Sequence, residues 1–173
     1  MTNRVGIGYD VHPLVEGRRL FLGGVEFQYP KGLDGHSDAD VLIHAIADAL
    51  LGAIGGGDIG HHFPNTDERW RGVPSTVFLK EIRRHIDEKG AFIENIDASV
   101  IAEAPKIVKR IPEMIAAMAD ALSISPDRIN LKATTNERLG FIGRGEGIAA
   151  MAVASVTCPA TRPAAPVAPA TAD

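Results

Sequence analysis

The chain has 173 residues, of which 45% are hydrophobic and 23% are charged, and its formal net charge is −4. That length and composition predict one globular domain with a buried core, while the dispersed Lys and Arg residues argue against a nucleic-acid surface. No apolar run reaches the roughly 18 residues of a membrane-spanning helix, and the first ten residues lack the pattern of a signal peptide, so we expect a cytoplasmic protein with no membrane partner.

The first half of the chain predicts a strand, a hairpin and a buried helix. In "VGIGYDVH", residues 5–12, apolar side chains alternate with Gly, Asp and His. This period of two predicts a strand whose second face carries Asp10 and His12, with open space left beside them by the glycines. "RRLFLGGVEFQYP" predicts a hairpin and "KGLDGHSDAD" a loop. "DADVLIHAIADALLGAIG" predicts a largely apolar, buried helix with Ser37 at its N-cap.

The second half predicts two more helices and three strands. "GGGDIGHHFPNTDERWRGVP" is a long polar loop of a length that is often functional. "STVFLKEIRRHIDEKG" predicts an amphipathic helix, and another helix starts near Pro112. "NIDASVIAEA" and "RINLKATT" predict strands, and "GIAAMAVASVTC" predicts a central strand because it is apolar on both faces.

The order of these elements predicts an α/β (α+β-like) fold: a mixed four-stranded sheet with helices on one face and a small hairpin. The last residues, "PATRPAAPVAPATAD", are dominated by Pro and Ala and cannot build a core. We therefore expect a single catalytic domain over residues 1–158 and a disordered tail over residues 159–173.

A metal site is the first functional hypothesis. The chain has one cysteine, so a transition-metal site has to use His, Asp and Glu. Asp10, His12 and the helix residue His44 supply the ligand types of a catalytic zinc site with an open fourth position. Taken alone, the Asp-x-His pair is more often incidental, and His44 more often a core histidine. Asp40 and Asp48 lie four residues either side of His44; one of them orients the imidazole, or both belong to a solvated helix face.

Three other segments carry polar groups that suit a phosphate or hydroxyl groups. His36 and Ser37 lie just before a helix N-terminus, which favours negative charge, although capping by Ser37 also explains that serine. Asp58 in the glycine-rich loop suits hydroxyl groups. Further on, the hydroxyl groups and carboxylate of "ATTNE" suit a phosphate and its divalent cation, or form an ordinary turn with a surface ion pair.

Five segments together resemble a known family. "GYDVHPL", "KGLDGHSDADVLIHAIADALLGA", "GDIGHHFPNTD", "AEAPKIV" and "KATTNERLGFIGRGEG" resemble the 2-C-methyl-D-erythritol 2,4-cyclodiphosphate synthase family, in order and over residues 4–157. The resemblance implies a homotrimer whose sheets face the threefold axis and whose active sites lie between subunits. It also implies cyclisation of 4-diphosphocytidyl-2-C-methyl-D-erythritol 2-phosphate with release of CMP, in non-mevalonate isoprenoid precursor biosynthesis.

The resemblance also implies roles for individual residues. Zinc is held by Asp10, His12 and His44, and Glu137 holds a second divalent ion, Mg²⁺ or Mn²⁺. His36 and Thr135 stabilise the transition state. The implied substrate-binding residues are Ser37 for phosphate; Asp58 and Gly60 for hydroxyl groups; Ala102, Lys106, Ile107, Val108, Ala133 and Thr134 for cytidine; Phe141 and Arg144 toward an axial cavity that holds an isoprenoid diphosphate; and Ile59, Phe63, Pro64, Asn65, Thr66, Asp67 and Pro105. His61 and His62 receive no role.

Two other functions remain open on the residues alone. A zinc-dependent phosphoester or diphosphate hydrolase would use the same three ligands with an activated water and a nearby base. A trimeric module without catalysis would use the metal and anion sites for structure only.

Overall fold

The computed structural model describes residues 1–160. The predicted tail falls almost entirely outside the described residues, since only Pro159 and Ala160 belong to both. Within the described residues, no helix is long and apolar enough to cross a membrane. The strands are β1 (Thr2–Glu16), β2 (Leu20–Leu22), β3 (Val25–Phe27), β4 (Lys31–Leu33), β5 (Phe92–Ile101), β6 (Ile129–Thr134) and β7 (Gly147–Cys158). The helices are α1 (Val41–Ile54), α2 (Ile59–His62), α3 (Thr76–Glu88), α4 (Ile111–Leu122) and α5 (Gly140–Gly143).

The main sheet is mixed, as predicted. Its strand order is β4-β1-β7-β5-β6, with β5 and β6 parallel and the other neighbours antiparallel. It has five strands where four were predicted, because Lys31–Leu33, interpreted as part of a loop, pairs with the end of β1. The predicted hairpin forms a separate sheet from β2 and β3. The apolar strand β7 is central, with β1 paired along one edge and β5 along the other. Its face toward α1 is buried, whereas Met151 and Val153 on the other face are exposed.

Strand β1 packs through its glycines, which contradicts the prediction that they leave open space. A Cβ added to Gly6 would lie 1.9 Å from the Ala49 carbonyl oxygen, and one added to Gly8 would lie 1.9 Å from that of Ala45. Helix α1 therefore fills the space, and its backbone approaches the strand as closely as glycine allows. The apolar residues of the other strand face are exposed instead, 67% for Val5 and 68% for Ile7.

The start of α1 also differs from the prediction. Asp40, not Ser37, is the N-cap, and its carboxylate accepts a hydrogen bond from the N–H of Ile43. The same carboxylate accepts the N–H groups of Gly23 and Gly24, which ties the hairpin to the helix. Burial raises the pKa of Asp40, and the adjacent Asp38 carboxylate raises it further, against these three donors.

Candidate active site

The three predicted metal ligands converge at one point. Asp10 and His12 leave the same face of β1, and His44 comes from the first turn of α1, which packs on that face. An Asp10 carboxylate oxygen, Oδ2, lies 2.9 Å from both His12 Nε2 and His44 Nδ1, and the two nitrogens are 3.1 Å apart. A carboxylate and two imidazoles within such distances are a donor set for a divalent transition metal.

The outward nitrogens of both imidazoles are already held by protein oxygens. His12 donates from Nδ1 to the Asp34 carbonyl at 2.6 Å. His44 Nε2 lies 3.2 Å from Ser37 Oγ and 3.1 Å from Ser75 Oγ. These contacts orient each ring so that its inward nitrogen faces the Asp10 carboxylate, the arrangement that metal-binding histidines require.

Neither aspartate that sequence reasoning considered as a partner of His44 hydrogen-bonds to it. The carboxylate of Asp40 is taken by backbone N–H groups, and that of Asp48 accepts the N–H of Ile59 at 2.8 Å. Sequence reasoning missed Ser75, which lies 31 residues from His44 and carried no signal beyond a serine at the start of a helix.

The charge interactions in this cluster favour an ionised Asp10 carboxylate and a cation next to it. Burial opposes ionisation of Asp10, but hydrogen bonds and charge interactions with His12 and His44 outweigh it and hold the pKa of the carboxyl well below its usual range. Burial likewise lowers the pKa of His12, but the Asp10 carboxylate and, to a smaller extent, the contacts with Asp34 together outweigh it, so the net shift is upward. A cation is thus favoured between these three side chains, be it a proton or a metal ion.

The ligand cluster opens into a cavity of about 420 Å³. Ten of the lining residues were predicted site residues, namely Asp10, His12, His36, Ser37, His44, Ile59, Gly60, Phe63, Pro64 and Asn65. The predicted residues Asp58, Thr66 and Asp67 are not among the lining residues, but each lies within two positions of one along the chain. Asp58 caps α2 through the N–H of His61, and His36 donates from Nε2 to the Asp67 carbonyl at 3.0 Å.

A second cavity, of about 260 Å³, gathers the predicted cytidine residues with Thr135 and Glu137. It is lined by Ala102, Pro105, Lys106, Ile107, Val108, Ala133, Thr134, Thr135 and Glu137. Thr135 donates its hydroxyl proton to the Glu137 carboxylate at 2.8 Å. Within the sheet, β7 and β5 separate β1 from β6, so about 14 Å divides the strand of the metal ligands from the strand of this cavity.

The predicted axial residues lie at a third place. Phe141 lines a cavity of about 290 Å³ with Val11, His12, Pro13, Glu146 and Gly147. Arg144 is exposed and pairs with Glu146, its Nε 2.7 Å from a carboxylate oxygen.

Comparisons with known proteins identify the family. A model of the YgbB family matches residues 3–157. The chain belongs to the YgbB family. A 2-C-methyl-D-erythritol 2,4-cyclodiphosphate synthase from Thiobacillus denitrificans is 59% identical over 150 residues, which cover 87% of this chain and 94% of that relative. These matches confirm the resemblance found in the sequence.

Solved structures of family members have the same fold. The bifunctional IspDF from Campylobacter jejuni aligns with a TM-score of 0.87 and 41% identity, over 91% of this chain and 42% of that longer protein. The IspF of Plasmodium falciparum in a CDP complex aligns with a TM-score of 0.79 and 35% identity, over 90% and 96% of the two chains.

Proposed function

We propose that this protein is a phosphorus–oxygen lyase that converts 4-diphosphocytidyl-2-C-methyl-D-erythritol 2-phosphate into 2-C-methyl-D-erythritol 2,4-cyclodiphosphate and CMP. The observation that carries the proposal is a metal-ligand triad that opens into one cavity while a second cavity holds the cytidine-type lining. In the reaction, an oxygen of the 2-phosphate bonds to the β-phosphorus. The bond from that phosphorus to the bridging oxygen breaks, and CMP leaves with the oxygen.

For this reaction, the protein mainly has to position the reacting groups and stabilise the charge of the transition state. A phosphate dianion is already a nucleophile, so this reaction needs little help from a general base. Asp10, His12 and His44 fit a zinc ion, since the inward nitrogens face one carboxylate oxygen and the outward nitrogens are held. When bound, zinc supplies a Lewis acid and a template beside the β-phosphate.

The remaining residues divide by cavity. At the triad, Ser37 and His36 bind and orient phosphate oxygens, and the loop that includes Asp58 and Gly60 holds the methylerythritol hydroxyl groups. At the second cavity, the Glu137 carboxylate would hold a second divalent ion, Mg²⁺ or Mn²⁺, and Thr135 hydrogen-bonds this carboxylate. The other lining residues accept cytidine, and the CDP complex of a relative supports this ligand class.

We propose further that three chains assemble so that the second cavity of one meets the triad of the next. The separation of the two half-sites by about 14 Å within one sheet supports this arrangement. So does the open sheet face, where Val5, Ile7, Tyr9, Met151 and Val153 are exposed. An apolar face of this extent is typical of an interface. Sedimentation velocity tests it: the wild-type chain should sediment as a trimer, and Ile7→Asp should release monomers.

The test of the reaction is phosphorus NMR of the purified protein with the diphosphocytidyl substrate and magnesium, run in H₂¹⁸O with and without a zinc chelator. We expect CMP and a cyclic diphosphate without ¹⁸O, and no turnover after chelation. His44→Ala should behave like the chelated protein, whereas the exposed control His61→Ala should turn over normally. A linear product that carries ¹⁸O would instead identify a zinc hydrolase, and a metal-loaded protein without turnover would leave a binding module.

A further inference from the structure

Ser75 occupies a helix start without capping the helix. It lies at the N-cap position of α3, where serine normally accepts a backbone N–H, yet its side chain makes no capping hydrogen bond. The residue is fully buried. Its hydroxyl group contacts the carboxylate of Asp38 and Nε2 of His44 instead. Ser75 therefore makes two long-range contacts in place of the usual capping hydrogen bond.

The protons in this chain of contacts have one consistent arrangement. A carboxylate only accepts, so the Ser75 hydroxyl donates to Asp38 Oδ1, while the Ser75 backbone N–H donates to Oδ2 at 3.0 Å. The hydrogen bond to Asp38 thus occupies the one proton of the Ser75 hydroxyl group. Ser75 Oγ has only lone pairs left for His44 Nε2 at 3.1 Å, so the hydrogen of that contact belongs to the imidazole. A neutral His44 with its proton on Nε2 presents a bare Nδ1 to the triad.

We propose that Asp38 and Ser75 are positioning residues that hold His44 in the Nε2–H tautomer, with its Nδ1 lone pair directed at the metal. Asp38 polarises the Ser75 hydroxyl, and the hydroxyl accepts the imidazole proton; neither residue touches substrate. The inference rests on the metal of the proposed function and adds the residues that prepare its helix ligand.

Ser37 is a supporting acceptor in the same network. Its Oγ lies 3.2 Å from His44 Nε2 and 3.3 Å from Ser75 Oγ, and it already accepts the N–H of Ala39 at 3.1 Å. It has no carboxylate behind it, so it replaces Ser75 only in part. Loss of Ser75 should therefore weaken metal binding without abolishing it.

The test measures zinc affinity by chelator competition for wild type, Ser75→Ala, Asp38→Asn and the double variant. Removal of such an outer partner typically weakens metal binding by about 10-fold to 100-fold, and we expect this for Ser75→Ala, with a smaller loss for Asp38→Asn. Because both act through one hydroxyl group, the double variant should bind zinc about as weakly as Ser75→Ala. Ser125→Ala, an exposed serine at another helix start, is the matched control.

A spectroscopic readout separates positioning from a general loss of structure. In zinc-loaded protein with ¹⁵N-labelled histidine, the His44 Nε2 proton should be visible and slow to exchange in wild type, and shifted and fast to exchange in Ser75→Ala. Zinc affinity within about two-fold of wild type in both single variants would overturn the inference, as would losses that simply add in the double variant. Wild-type protein that binds no zinc would refute the proposed metal, and this inference with it.

Discussion

The contact between β1 and α1 determines whether the metal ligands can meet, and Gly8→Ala tests it. Gly8 lies two residues before Asp10 and packs against Ala45, the residue after His44. An added Cβ would lie 1.9 Å from the Ala45 carbonyl oxygen and 2.9 Å from the Ala49 nitrogen. Ordinary contact begins at 3.4 Å, so strand and helix have to separate by about 1.5 Å. Both neighbours are backbone atoms, and no side-chain rotation relieves the overlap.

Two losses should follow from that separation. Overpacking of a core typically costs about 1–3 kcal/mol, and contact with rigid backbone places Gly8→Ala near 3 kcal/mol in the free energy of unfolding. Metal sites tolerate ligand displacements of only about 0.2 Å. Moving the helix ligand away from the two strand ligands by more than 1 Å should therefore weaken zinc binding by about 100-fold or more.

Gly52→Ala is the matched control from the helix side of the same contact. The nearest atom to its added Cβ is the Gly6 Cα at 3.7 Å, so nothing has to move. Alanine in a helix interior is favoured over glycine by up to about 1 kcal/mol, so this variant should be as stable as wild type or more so. Urea unfolding at one fixed chain concentration and chelator competition for zinc measure both effects. If Gly8→Ala unfolds within about 0.5 kcal/mol of wild type and retains its zinc affinity, the close approach does not control the site.

Three further predictions concern the second ion, the phosphate loop and pH. Glu137→Gln should keep zinc but need more added Mg²⁺ for turnover, and an unchanged Mg²⁺ titration would contradict the role of Glu137. Arg18 hydrogen-bonds the loop that carries His36, so Arg18→Met should lower kcat/KM about 10-fold or more. Arg19→Met, which removes an exposed ion pair, should change kcat/KM less than two-fold. Equal effects of the two variants would contradict the role of Arg18 in holding this loop. Zinc binds neutral His12, and although burial lowers the pKa of His12, Asp10 raises it. Zinc affinity should therefore increase by up to about tenfold per pH unit until the pH exceeds that raised pKa. A zinc affinity that does not change with pH would contradict this prediction.

Much of the candidate site could be predicted from the chain because its chemistry lies in short segments. The Asp-x-His pair falls on one strand face whatever the fold, since side chains alternate. The lining of the second cavity was implied by the family resemblance alone, and the structure forms it from the turn after β5 and the end of β6. Ser75 could not be predicted, because its partner is 31 residues away and a serine before a helix is ordinarily a cap.

The sequence by itself determined which residue types are present and which of them share a face, since these follow from the periods of strand and helix. It identified the central strand, because apolar side chains on both faces are typical of an interior strand. The tertiary structure alone decided which face of β1 is covered. The alternation in "VGIGYDVH" predicted open space beside the glycines, but the backbone of α1 fills that space because it fits only against glycine. Periodicity is a local property of the chain, whereas the choice of packing partner depends on the shapes of segments far apart in sequence.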